Sequence, residues 1–512
     1  MHLPRTSRCA EPRSRQRYSV VCAWTAGLLV GATLTSCQFA PPLRVPAVPA
    51  GTGYTATPTV RPASRGPEQQ SARPHIIYGA ALSQPWWRLF RSAPLDAMVA
   101  QALRHSPTIT AAEAQLRAAR ANVEASAAVL YPQVSLALGA SHTKNSGANF
   151  GGHLPGSTFS LYTGDVAVSY YPDLFGLNRL VYRGSTAQMN AQRAALAAAR
   201  LTLAGNVVDA AIGASAAEAE INATVALIAA KRRLVRLTEA QYLGGSLSYA
   251  SVLAEQAQLA DSELQLPPLQ QALAAYRHLL AVLLGESPSR LRAATIALRD
   301  LSLPSHIPLA VPSTLLRTRP DIRIAEEQMR YALTGIGIAK AQFYPLVTLT
   351  ASGGASALSA RKLFDASSTI WSIGGALAQP IFAGGRLRAQ ERGAYAAYDA
   401  TRAMYRSTVL TAFQQVADAL RAIEHDGAAA RAQDRLTRAL RAQINLAEAG
   451  YRSGATDFSA VLLSGIDYRT ALVNSARIRA ARLDDTVALF VALGGDGRPP
   501  RSRSPPFGSE KP

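Results

Sequence analysis

The chain matches itself. Residues 107–136 and 320–349 align without a gap, with Pro107/Pro320, Glu113/Glu326, Arg117/Arg330, Tyr131/Tyr344, Pro132/Pro345 and Val134/Val347 among the identities. Further along, Pro172-Asp-Leu-Phe175-Gly176 answers Pro380-Ile-Phe382-Ala-Gly384, and Tyr242-Leu-Gly-Gly245 answers Tyr451-Arg-Ser-Gly454. Ordered matches at nearly one spacing mean one structural unit written twice, which restricts the fold to architectures built from repeats. The copies are placed at 84–304 and 305–494.

Each copy has the same grammar. A helix ends at a Tyr-Pro, because proline drives its predecessor out of the α region and turns the chain extended. Pro132 and Pro345 thus mark helix-to-strand junctions, and Pro172 and Pro380 mark the return to helix. Alternating stretches lie between them, predicting strands at about 133–141 and 159–171, then about 346–356 and 370–379. Val134, Leu136 and Leu138 oppose Ser135 and Gly139; Val166 and Val168 oppose Thr163 and Asp165. Period two with one apolar and one small polar face fits a strand between lipid and water, which would make Ser135, Thr163 and Asp165 lumen-facing. A soluble antiparallel sheet shows the same period.

After each hairpin comes a long Ala-rich stretch without proline, 177–243 and 386–453. At 1.5 Å per residue this predicts helices of roughly 100 Å, which need neighbours along their whole length. Gly245 and Gly454 supply the positive φ that ends them. Ser248 and Asp457 stand where a cap of the returning helix belongs.

One chain offers four strands. Four cannot close a barrel, and an open edge in lipid leaves backbone groups unpaired. Strands that span a membrane here therefore require several copies sharing one barrel, above a wall of helices.

The N-terminus reads as an address. Arg13, Arg15 and Arg17 precede the apolar stretch 19–34, too short for a spanning helix, so 1–36 is read as a signal peptide. Leu34-Thr35-Ser36-Cys37 resembles a lipobox, with Cys37 the lipidation site and palmitate among the chains it would carry. The other cysteines, Cys9 and Cys22, lie within the signal, so no intrachain disulfide is expected. Residues 37–83 read as an anchored tether and 495–512 as a disordered tail. The net charge of +20 is scattered through helical segments beside Glu and Gln, the pattern of a solvated helix surface rather than of a nucleic-acid partner.

Several motifs then carry a resemblance. They are Pro85-Trp86-Trp87-Arg88-Leu89-Phe90, Pro94-Leu95-Asp96, Asp173-Leu174-Phe175-Gly176, Arg319-Pro320-Asp321-Ile322-Arg323, Tyr344-Pro345 and Gln379-Pro380-Ile381-Phe382-Ala383-Gly384-Gly385-Arg386. In this order, with a lipobox, the chain resembles the outer-membrane factor (TolC-like) family of tripartite efflux systems, in its NodT-type lipoprotein branch. The resemblance implies an α+β membrane protein, a homotrimer sharing a 12-stranded outer-membrane β-barrel and a periplasmic α-helical barrel. It implies a periplasmic membrane-fusion adaptor and an inner-membrane pump, of RND type, as partners beside outer-membrane lipid. The channel would conduct small molecules passively from the periplasm outward. Gly245, Ser246, Leu247, Gly454, Ala455 and Thr456 would be adaptor-docking tips, and Tyr451 and Asp457 periplasmic gate residues. Where such channels place gate carboxylates or an arginine, this chain has Ser251, Ala460, Leu463 and Thr456, so a mainly steric gate is expected.

Catalysis is not indicated. No HExxH, GxSxG or Walker A pattern occurs, Gly335-x-Gly337 reads as a helix-packing pair, and no cofactor or metal is expected. Two alternatives stay open: an outer-membrane conduit for ABC-driven protein secretion, and a lipid-anchored periplasmic coiled-coil scaffold.

Overall fold

The computed structural model describes residues 41–43, 45–46, 54, 75–79, 85–146, 156–290, 296–309 and 312–495. The signal peptide, Cys37, most of the tether and the tail beyond 495 lie outside the described residues.

The order of a 22-residue helix, two strands and a 67-residue helix occurs twice. In the first half it is α2 (Pro107–Ala128), β2 (Gln133–Asn145), β3 (Ser157–Tyr170) and α3 (Leu177–Leu243). In the second it is α7 (Pro320–Ala341), β5 (Leu346–Ala357), β6 (Thr369–Ala378) and α8 (Arg386–Arg452). Around these lie β1 (His75–Tyr78), α1 (Ala93–His105), α4 (Tyr249–Leu264), α5 (Leu266–Leu283), β4 (His306–Leu309), α6 (Pro312–Thr318) and α9 (Phe458–Ala492). The Ala-rich, proline-free composition carries α3 and α8 unbroken, whereas Pro267 and Pro268 in the first turn of α5 divide the chain returning from α3 into α4 and α5.

The compact units do not follow the sequence halves. One draws on 121–187 and 330–400; the other draws on 45–120, 188–329 and the chain from 401 on.

The first unit holds a four-stranded antiparallel sheet in the order β2-β3-β5-β6. Its strands run 13, 14, 12 and 10 residues, mostly longer than their periodic cores, because β2 and β3 continue pairing as far as Asn145↔Ser157. The register Val134↔Val168, Leu136↔Val166, Val166↔Gly353 and Gly353↔Trp371 puts the large apolar residues on one face. Ser135↔Ala167, Ala137↔Asp165, Gly139↔Thr163, Asp165↔Gly354 and Ser352↔Ser372 occupy the other.

The second unit holds the core. In α1, Leu95, Met98, Val99 and Ala102 form one buried stripe. It joins a cluster with Trp86, Phe90, Ile212, Leu301 and Phe490. Trp86 sits 5.8 Å from the Phe490 ring, and Phe90 stands edge-on to Phe490 at 6.3 Å. Trp86 is thus a packing residue of this core. The neighbouring Trp87 indole N–H donates to Asp96 Oδ1 at 2.9 Å, and Arg88 Nε donates to the same atom at 3.1 Å. These bonds hold the Asp96 carboxyl below its ordinary range. A short parallel pair, β1 with β4, completes this unit's sheet structure among the described residues.

One helix among the described residues, α3, is long and apolar enough in part to cross a membrane, but half of that stretch is buried within the chain. It packs in the core through Val207, Val208 and Ile212. Gly335 does not pack closely as its motif suggested; a Cβ built there meets no described atom within 4 Å.

Candidate functional site

Two places carry surface that the isolated chain leaves unexplained: the sheet and the two helical-hairpin tips.

The sheet exposes its apolar face. Leu136, Leu138, Trp371, Ile373 and Leu377 are each more than two-thirds exposed. An apolar patch of this size has a cost in water of roughly 25 cal/mol per Å², so it marks an interaction surface. The opposite face bears Ser135, Thr163 and Asp165, the three residues read as lumen-facing, on one side of a continuous sheet. Two strand edges, one of β2 and one of β6, lack a strand partner among the described residues.

The proline junctions frame this sheet. Pro132 and Pro345 immediately precede β2 and β5, and Pro172 and Pro380 each follow a strand by two residues. Side-chain amides finish the turns: Gln133 Nε2 donates to the Ala128 carbonyl at 2.9 Å, and Gln379 Nε2 to the Phe343 carbonyl at 2.8 Å. Asp173 receives the backbone N–H groups of Asn178 and Arg179 at 3.0 and 2.9 Å, satisfying donors at the start of α3.

Both tips are built alike. Gly245 has φ +76° and Gly454 φ +75°. Ser246 N–H bonds the Gln241 carbonyl at 2.9 Å and Ala455 N–H bonds the Gly450 carbonyl at 2.8 Å. With Gly245 N–H on Tyr242 and Gly454 N–H on Tyr451, each is a Schellman-type helix end. Residues 245–247 and 454–457 are all exposed. Ser248 and Asp457 hold the extended cap position, but neither side chain caps; the Ser248 hydroxyl faces that of Ser251 at 3.2 Å instead. The tips also contain a feature the sequence reading missed. Tyr242 packs on Tyr249 at 5.4 Å, and Tyr451 on Phe458 at 5.2 Å, an aromatic clasp across each turn. Aligning the copies at Gly245/Gly454 would have revealed it, since Tyr249 then meets Phe458.

Another missed group lies in the helices of the second unit. Burial pushes the Asp485 carboxyl up to about 6, and a hydrogen bond and repulsion from Asp426 on α8 add to this. Burial, then Asp209 and Asp485, push Asp484 up to about 7. Asp485 is the half-buried member; Asp209 and Asp484 still reach solvent, which blunts their shifts.

A sheet with one face of large apolar residues, joined to very long helices that reverse at exposed glycine turns, defines a TolC-like outer-membrane channel protein. Residues 98–286 and 311–495 match the family described as outer membrane efflux protein, and the chain belongs to that family. It is similar to the pyoverdine export outer membrane protein OpmQ of Pseudomonas putida, 30% identical over 80% of this chain and 88% of that protein. It is also similar to the outer membrane protein OprJ of Pseudomonas aeruginosa, 29% identical over 92% of this chain and 95% of that one. Among solved structures, the outer-membrane channel OprN superposes with a TM-score of 0.76 at 28% identity, covering 85% of this chain and 99% of that one. The protein is thus an outer-membrane efflux channel rather than an enzyme.

Proposed function

We propose that this chain forms the exit duct of a tripartite efflux system. Three copies share a 12-stranded barrel in the outer membrane, and their long helices form a periplasmic tube. Cys37 carries the lipid anchor, Ser135, Thr163 and Asp165 face the pore, and small toxic or drug-like molecules pass without energy input from this protein. An internal duplication accounts for the two runs of equal element order. The observation that carries the reading is the sheet itself: one exposed face that gathers the large apolar side chains, one face of small and polar residues, and two edges that lipid could not satisfy.

The turns at 245–247 and 454–456 dock a periplasmic membrane-fusion adaptor, which links the duct to an inner-membrane pump of RND type. Their exposure and like construction support this. Tyr451 and Asp457 beside the second turn form the gate. The ion pair beside the second tip, Arg452 with Glu448, lies within α8 and does not cross the turn, so closure is steric. The test is Ser246→Cys with a thiol-reactive crosslinker in cells, followed by mass spectrometry of the captured protein. Capture of an adaptor supports the reading, and its partner pump separates small-molecule efflux from protein secretion. A tip that captures no adaptor in cells expressing the pump operon overturns the docking assignment.

A further inference from the structure

Both long helices begin with arginine. α3 and α8 have equal length, so Arg179 and Arg183 match Arg388 and Arg392 at one spacing, the same that carries Gly245 to Gly454. Neither helix has an acid in its first turn. A cation there opposes the helix dipole, so helix stability does not explain a placement made twice.

Arg179 shows what such a side chain does with an anion. Its Nε donates to Asp173 Oδ2 at 3.1 Å and its Nη2 to the Asp173 carbonyl at 3.0 Å. The other three have no such partner. Residues 379–385, before α8, contain no acid. Glu391, between Arg388 and Arg392, is half-buried, and its charge acts on Lys340 of α7. Arg183, Arg388 and Arg392 are exposed and make no ion pair among the described residues.

Large apolar side chains stand open beside these helix starts. Ile381 is 97% exposed and Phe382 90%, and Tyr131, Leu174 and Tyr182 are open as well. All of these residues belong to the compact unit that holds the four-stranded sheet. An apolar face, then open aromatic and aliphatic residues, then unpaired cations is the order of a membrane boundary. The depths agree. At 1.5 Å per residue, Arg388 lies about 3 Å from the first residue of its helix, and Arg183 and Arg392 about 9 Å. Helical side chains lean towards the N-terminus, here towards the strands. A headgroup layer is about 5–8 Å thick.

We infer that Arg183, Arg388 and Arg392 form a basic collar that binds the phosphates of phospholipid headgroups in the periplasm-facing leaflet. The occupant is a phospholipid because the collar continues the apolar sheet face at headgroup depth and its charge is complementary to phosphate. A guanidinium takes a phosphate through two parallel N–H donors. The collar sets how deep the channel sits in the membrane, independently of the lipid on Cys37. The inference rests on the reading of the sheet as membrane-spanning.

The test uses full-length protein stripped of lipid in mild detergent, with short-chain phosphatidylglycerol as the probe and bound lipid counted by native mass spectrometry. Changing Arg183, Arg388 and Arg392 together to Gln is expected to weaken binding roughly a hundredfold, from about fivefold per charge. Lysine at the same three positions is expected to keep most of it. Size measurement of the same samples checks that the variants assemble. Unchanged binding by the assembled Gln variant overturns the collar. Inorganic phosphate that displaces the probe at equal concentration assigns the arginines to a free anion and overturns the lipid. Arg392→Cys gives an independent check in planar bilayers with a charged, membrane-impermeant thiol reagent. Its current is expected to match that of the reagent-treated parent, whereas a reduced current places this arginine in the duct and overturns the collar. Parent protein that enters phosphatidylglycerol vesicles and conducts ions keeps the membrane-spanning reading standing even when the collar fails. Parent protein that does neither overturns both.

Discussion

Replacing Asp485 by Asn tests the packing of α8 on α9 through pH. In the folded chain the carboxyl rises from an ordinary 3.8 to about 6, first by burial and then through Asp426. Folding therefore holds this proton more tightly than the unfolded chain does. The resulting stabilisation is fully present below about pH 4 and is lost as pH rises through about 6. Two pH units at about 1.4 kcal/mol each give an upper bound of roughly 3 kcal/mol. The carboxyl is only partly covered, so solvent screening reduces this to about 1–2 kcal/mol. The Asp485→Asn variant should be more stable than the parent by about that much at pH 7, and the difference should vanish near pH 4. Thermal unfolding in detergent at fixed protein concentration, stepped from about pH 4 to 8, measures it. An identical pH slope in the two proteins would refute the placement of Asp485 against Asp426.

Other expectations follow from the same geometry. Arg319 is almost fully buried, donates to both Asp321 oxygens at 3.0 and 2.6 Å, to the Ala492 carbonyl at 2.8 Å and to Gln415 at 2.8 Å; Arg319→Ala should lose about 3 kcal/mol in denaturant unfolding, and Arg319→Lys should recover only part. Gly454→Val should cost about 1–2 kcal/mol, because φ +75° is strained for a β-branched residue, and should show as raised hydrogen exchange in the last turn of α8. Leu136→Arg, on the apolar face, should cost about 2–4 kcal/mol and reduce the assembled protein recovered from outer membranes. Asp165→Arg, on the other face, should assemble normally and move ion selectivity towards anions in bilayer recordings.

Much of the fold was legible because its signals are local. Alternation every second residue marked four strands, Tyr-Pro marked their boundaries, and the lack of proline marked α3 and α8. The repeat added the tips, since Gly245 and Gly454 fall at one spacing. What was not legible depends on distant partners. Arg319 lies 173 residues from the carbonyl it caps and 96 from Gln415, so its motif was recognisable without its work being so. Asp485 looks like any surface acid until α8 places Asp426 beside it. Ser248 and Asp457 show the converse. Residue type and position were right for a capping side chain, yet the turn leaves both without a cap bond.

If the four strands form part of a shared pore, Thr163 lies inside it and Leu138 outside. Single-channel recording of the purified protein in planar bilayers tests it, using Thr163→Cys and Leu138→Cys with a charged, membrane-impermeant thiol reagent. Discrete current steps are expected, reduced by the reagent for Thr163→Cys and unchanged for Leu138→Cys. Equal effects at both positions, or no current from correctly assembled protein with its tips pulled open by Tyr451→Ala, would contradict it.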